Sequence, residues 1–398
     1  MKISIVYISI FTALAQAASR TSPPSGAIVV AKSGGQYTDL QSAINSIPAS
    51  STSSYTIFIQ PGTYNGQVYI PNTVKGKITI YGYTTNDQDY NQNQVTLVNS
   101  LGADVAGSND ASGTLRAHST DFKVYNINIQ NSRGSGVQAI ALSTQGNQQG
   151  YYGCKLLGYQ DTLLANKGTN VFNKCYIEGA TDFIFGQQAV AWFEKCTIAI
   201  SGAGYITANG RDSDTNPSYY VINSSSISLK SGVSSSVKTY LGRPWRAYAR
   251  TVFQNTAMSS VVRPEGWSTW SVALDNVYYA EYGNTGDGSK GTRVSWAKQL
   301  SSPLTLAGII GSTSWIDMNY WNNVSSGTTT TTTKATTTAA ATTTKTTAAG
   351  GGGCTQSLYG QFALQEVLAN ILTIGIPSAS STILWIRLYY SLAGGGPL

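Results

Sequence analysis

The chain has 398 residues, 41% of them hydrophobic and only 11% charged, with 41 Gly and 25 Tyr. That length holds one large core or two domains, and the composition argues against a helix bundle and for a β-rich fold. A single His and no Cys-x-x-Cys pair exclude the usual transition-metal site; the net charge of +7 comes from scattered Lys and Arg, which argues against nucleic acid and leaves an acidic polysaccharide open.

Residues 1–17 read as a secretory signal. Lys2 supplies the charge, residues 3–14 are apolar, and Ala15-Gln16-Ala17 is a small-x-small cleavage site. About 12 apolar residues are too few to span a bilayer, so a secreted, extracellular protein without membrane attachment is expected. Residues 25–322 have mixed, globular composition. Residues 325–353 are nearly all Thr, Ala, Ser and Gly, cannot bury a core, and read as an extended O-glycosylated linker. Asn223 and Asn323 open N-glycosylation sequons, usable only where exposed. Residues 354–398 begin Cys354-Thr355-Gln356-Ser357-Leu358-Tyr359-Gly360-Gln361, which resembles the opening of a small fungal cellulose-binding module. No further Cys follows to staple such a fold, so a truncated or frame-shifted remnant without cellulose binding is expected.

The most informative feature is a repeat. Cys154, Cys175 and Cys196 lie 21 residues apart, as 175 − 154 and 196 − 175. Asp161 and Asp182 have the same separation, and the segment 172–179 echoes 193–200. Short β-rich segments over 124–130 and 139–143 lie upstream, separated by Gly and Asn. Short strands with turn residues at a fixed period in the twenties signal a solenoid. At roughly 3.3 Å per residue, 21 residues trace about 70 Å, one coil of a parallel β-helix. The Cys column then reads either as thiols stacked in the core or as a Cys154–Cys175 disulfide.

The same register puts Asp161 above Asp182, with carboxyl groups roughly 5 Å apart if both face outward. Two like charges so close do not both ionise easily, so one pKa rises. A protonated carboxyl beside an ionised one is an acid and nucleophile pair. A polar ladder on a solvated face or turn-capping Asp residues are the other readings of such a pair.

Three segments set the choice. Gly158-Tyr159-Gln160-Asp161-Thr162-Leu163, Gly179-Ala180-Thr181-Asp182-Phe183-Ile184-Phe185-Gly186 and Tyr240-Leu241-Gly242-Arg243-Pro244-Trp245 occur in that order. In this order they resemble the motifs of the pectin methylesterases (pectinesterases), a family on a right-handed parallel β-helix. Residues 28–31 with 35–37, Pro61-Gly62-Thr63-Tyr64, residues 206–211 and Gly266-Trp267 fit the same family, so the resemblance covers about 27–321. The tone of residues 66–70 and the Thr linker suggest a fungal member. The resemblance implies a nucleophile at Asp182 and a general acid/base at Asp161. It implies oxyanion donors at Gln138 and Gln160, and an Arg243 that holds Asp182 ionised and oriented. Trp245 and Trp267 are implied as sugar platforms, with Tyr159, Phe183 and Tyr240 behind them; Phe185 is assigned to the core. His118 matches no family catalytic position and is expected to face solvent. The implied substrate is methyl-esterified homogalacturonan, attacked by a monomer without metal or cofactor. A polygalacturonase or lyase on the same fold, or a non-catalytic wall binder, are the competing readings; the flanking Gln residues suit an ester oxyanion better than either.

Overall fold

The computed structural model describes residues 18–323. The segments 1–17, 325–353 and 354–398 lie outside the described residues.

Each coil is three short strands. In one coil they are Leu142–Thr144, Gln149–Tyr152 and Lys155–Leu157. In the next they are Leu163–Ala165, Thr169–Asn173 and the first part of Tyr176–Gly186. Every strand pairs in parallel with its equivalent one coil on: Leu142 with Leu163, Gln149 with Asn170, Lys155 with Tyr176. Each partner is 21 residues along, the spacing that the cysteines carry. One set of equivalent strands makes an 11-stranded sheet. The other two sets join into a bent 13-stranded sheet, because Tyr176–Gly186 and Thr197–Asn209 run through the corner. The result is the expected all-β architecture, a right-handed parallel β-helix.

The core is built from columns of like side chains. Ile80, Val124, Tyr151, Phe172 and Phe193 occupy equivalent positions and are fully buried. Tyr151 stacks on Phe172 with ring centroids 5.1 Å apart, and Phe172 on Phe193 at 4.6 Å. A second column runs Ile129, Leu156, Ile177, Ile198, Ile227, Met258. Met258 is thus core filler.

The turn after the 11-stranded sheet takes a left-handed residue in six successive coils. Asn126, Gly153, Lys174, Lys195, Ser224 and Asn255 all have φ between 49° and 58°. The residue that follows points inward, and Cys154, Cys175 and Cys196 hold that place in three successive coils. All three are free thiols. Cys175 Sγ donates to Tyr151 O at 3.4 Å and Cys196 Sγ to Phe172 O at 3.3 Å. The stacked-thiol reading holds and the disulfide does not form.

The chain ends its coils under a cap. Leu306–Ile310 and Met318–Trp321 are short helices over the outer face of the 11-stranded sheet. There Ile310, Trp315, Tyr320 and Trp321 bury Tyr125, Tyr152 and Trp192. The Asn223 sequon is engaged in the fold: its amide donates to Glu194 Oε2 at 2.7 Å, and Ser225 is buried.

Candidate active site

The two expected carboxylates lie on the corner between the two halves of the bent sheet. Asp161 N–H donates to Thr181 O at 3.0 Å, which pins one turn on the next. Two residues on, Leu163 pairs with Ile184, so the register stacks Asp161 on Asp182. Both are left-handed, with φ of 63° and 50°. Asp tolerates that region better than most residues, and such strain gathers at functional sites. Gly179 makes the second turn possible: a Cβ there would lie 2.3 Å from Phe183 Cβ.

Arg243 reaches the pair from a third coil. Its N–H donates to Thr207 O at 3.0 Å at the end of strand Thr239–Gly242. The preceding residue has to be Gly, because a Cβ on Gly242 would lie 2.1 Å from Thr207 Oγ1. Arg243 Nε donates to Asp182 Oδ1 at 3.0 Å and Nη2 to Oδ2 at 2.7 Å. This two-pronged contact pairs both carboxylate oxygens with one edge of the guanidinium and supplies the counter-charge.

The pair is therefore asymmetric. Asp161 and Asp182 are each 6% exposed. Burial pushes the Asp161 carboxyl up to about 8, the Asp182 charge adds to the rise, and the Arg243 guanidinium opposes it. Burial also raises Asp182, but the hydrogen bonds and charge of Arg243 pull it back. The larger displacement falls on Asp161. Arg243 restrains the rise at Asp182 without reversing it. Of the two, Asp161 holds a proton more readily, and Asp182, paired with Arg243, is the better placed to carry the charge.

The two glutamines lie on neighbouring coils. Ala139 N–H donates to Gln160 O at 3.2 Å, so the segment carrying Gln138 sits one coil before the segment carrying Gln160. The Gln138 side chain is exposed and Gln160 half-buried.

The aromatic expectations divide. Trp245 is half-buried and packs against an outward-facing apolar cluster of Ile140, Leu164, Phe185 and Ala208 beside the carboxylates. Tyr159 and Tyr240 are half-buried as well. Trp267 is not a surface platform. It is 1% exposed inside the main core, 4.4 Å from the Tyr279 ring, and its Nε1 donates to Glu281 Oε1 at 3.2 Å. Phe183 is not at the surface either: it is fully buried in the main core. Phe183 and Ile184 both point inward because the sheet bends there, and the register shifts between Thr181 and Ile184. Phe185 consequently faces outward under Trp245, at 6.2 Å between rings, rather than into the helix interior. His118 is half-buried rather than free in solvent: Nε2 lies 3.1 Å from Asp110 Oδ1, and its ring meets Tyr69 edge-on at 5.0 Å.

Two residues at the site escaped the sequence reading. The guanidinium carbon of Arg243 lies 4.0 Å from the Tyr205 ring centroid and 3.9 Å from that of Trp270. Trp270 follows Trp267 by three residues, but only the loop after the Gly242–Trp267 bridge folds it back outward. Tyr205 pairs with Thr181 across a shifted register, 24 residues on instead of 21, so no periodicity marks it.

A family model described as pectinesterase matches residues 27–305. A pectinesterase of Aspergillus aculeatus is 49% identical over 329 residues, covering 80% of this chain and 99% of its own. A pectinesterase of Aspergillus niger is 44% identical with the same coverage. Among solved structures, a pectin methylesterase from Aspergillus niger has a TM-score of 0.73 at 40% identity, covering 76% of this chain and 100% of that one. The pectin methylesterase from carrot has a TM-score of 0.68 at 31% identity, covering 76% and 97%.

Proposed function

Since the chain belongs to the pectinesterase family and is an esterase, we propose that it hydrolyses the methyl esters of homogalacturonan, with Asp161 and Asp182 as its working pair. The observation that carries this reading is the unequal partnering of the two carboxylates. Arg243 grips Asp182 alone, while Asp161 is buried beside that charge with its pKa near 8.

The chemistry follows from that inequality. Asp182 attacks the ester carbonyl carbon, and the carbonyl oxygen becomes an oxyanion. The side-chain amides of Gln138 and Gln160 donate to it. Asp161 passes its proton to the methoxy oxygen, and methanol leaves, giving an acyl group on Asp182. Asp161, now ionised, takes a proton from water as the water oxygen adds to the acyl carbon. The bond to Asp182 then breaks, Asp182 returns as carboxylate and the galacturonate acid is released. Trp245, over the outward apolar cluster, offers a face for a pyranose ring, with Tyr159 and Tyr240 alongside. Residues 25–322 constitute the catalytic domain in this reading, acting as a monomer after residues 1–17 direct secretion.

Incubation with highly methylated pectin tests the reading when methanol, new reducing ends and the ultraviolet absorbance of unsaturated uronates are followed together. Methanol without the other two is the expected result. Reducing ends or unsaturated products without methanol would contradict the esterase chemistry.

A further inference from the structure

We propose that Tyr205 and Trp270 clamp the guanidinium of Arg243 between two aromatic faces, and that this clamp is what holds Asp182 in its reactive orientation. The inference rests on the role of Asp182 given above and adds two positioning residues to it.

Two aromatic rings lie within contact distance of the guanidinium. Nε and Nη2 of Arg243 point edge-on at the two oxygens of Asp182, 3.0 and 2.7 Å away. That contact occupies one edge of the guanidinium and leaves both faces open. Tyr205 covers one face at 4.0 Å and Trp270 covers another approach at 3.9 Å, each measured from the guanidinium carbon to the ring centroid. Aromatic faces attract a cation at such distances. Arg carries a long side chain with much rotamer freedom, and the Arg243 side chain keeps 21% of its surface exposed. The contact with Asp182 alone leaves the guanidinium plane free to tilt about the Nε–Nη2 edge; two rings packed against it restrict that freedom.

The clamp is itself braced. Tyr205 stacks on Tyr240 with ring planes 13° apart and centroids 5.6 Å apart. The guanidinium of Arg263 lies 5.1 Å from the Tyr240 ring on the next strand column. The stack runs Arg263, Tyr240, Tyr205, Arg243, Trp270, a pair of rings between two cations with a third ring on Arg243, and it meets the carboxylate through Arg243. Tyr205 is fixed in strand Thr197–Asn209, opposite Thr181, the residue before Asp182. The backbone that carries the carboxylate and the ring that seats its partner are thereby in register.

The charged and titratable groups around Asp182 are Asp161, Arg243 and the buried phenol of Tyr279, with the Tyr205 hydroxyl acting on Arg243. Among them only Arg243 lowers the Asp182 pKa, so a tilted Arg243 lets it climb. Loss of the clamp then moves the acid limb of the pH–rate profile upward, because a higher pH is needed to ionise Asp182.

Four variants test this by methanol release from methylated oligogalacturonate across pH: Tyr205→Leu, Tyr205→Phe, Trp270→Leu and Asp182→Asn. Tyr205→Leu should lose about tenfold in kcat with KM within about twofold, and its acid limb should shift upward. Tyr205→Phe keeps the ring and should restore both. Trp270→Leu, in a half-exposed loop, should show the same limb shift, which keeps the test informative if Tyr205→Leu does not fold. A raised KM with unchanged kcat and limb would make these residues substrate contacts and overturn the clamp. Wild-type kcat and limb in both Leu variants would overturn it too, while loss of turnover in Asp182→Asn leaves the underlying role of Asp182 standing. Normal turnover in Asp182→Asn would remove that role instead.

Discussion

Asp161→Asn should make the fold more stable at neutral pH while abolishing its use as an acid. Asp161 has an ordinary pKa of 3.8 and stands near 8 in the folded chain, chiefly through burial. Between those two values the folded chain holds a proton that the unfolded chain has released. Stability therefore falls as pH rises through that window, and it is highest below the unfolded pKa. Each pH unit in the window is worth about 1.4 kcal/mol. From 3.8 to 7 this has a ceiling of about 4 kcal/mol, and partial relaxation around the charge makes about 2–4 kcal/mol the working figure. Asn has a similar shape and no ionisation, so it escapes the penalty at every pH. Thermal melts of wild type and Asp161→Asn at pH 4, 5.5 and 7 measure this. The variant should match wild type near pH 4 and melt several degrees higher at pH 7, about 4–16 °C at the roughly 2–4 °C per kcal/mol of a 150–250-residue domain. A variant less stable than wild type at pH 7, or a difference that does not grow with pH, would refute the reasoning that Asp161 is held protonated by its surroundings.

Other outcomes follow from the same geometry. The profile of kcat/KM against pH should be bell-shaped, with the base limb near 8, where Asp161 gives up its proton, and the acid limb set by ionisation of Asp182. Arg243→Lys keeps a charge but loses the fork on Asp182, so kcat should fall about 10–100-fold with the melting temperature little changed; near-normal kcat would show that charge alone suffices. Trp245→Ala should raise KM with a modest effect on stability, whereas Trp267→Ala should cost about 3–5 kcal/mol of stability through a core cavity. The opposite pattern, seen by denaturation and steady-state kinetics, would return Trp267 to the cleft.

The regular coils were legible from the sequence and the irregular ones were not. Cys154, Cys175 and Cys196 mark equal coils because the inward position after each left-handed turn takes a small apolar side chain. The same spacing places Asp161 on Asp182. After Cys196 the inward position passes to Ser225 and then Thr256, 29 and 31 residues further on, because loops of varying length leave the coil. Trp270 and Tyr205 lie in that part, where no period reports which side chains meet. Simple alternation also failed at Phe183 and Phe185. A bend puts two consecutive residues, Phe183 and Ile184, inside and shifts every later side chain to the other face. The motif glycines were visible, but their reasons were not: Gly179 makes room for Phe183, and Gly242 for Thr207.

The central claim is that the carboxylate gripped by Arg243 performs the ester chemistry. Methanol release from methylated oligogalacturonate by purified Asp182→Asn, beside wild type with the same melting profile, tests it most directly. Loss of about a thousandfold or more in kcat is the predicted result, since nucleophile and charge are both removed. Turnover within about tenfold of wild type would contradict the assignment of Asp182 and the mechanism built on it.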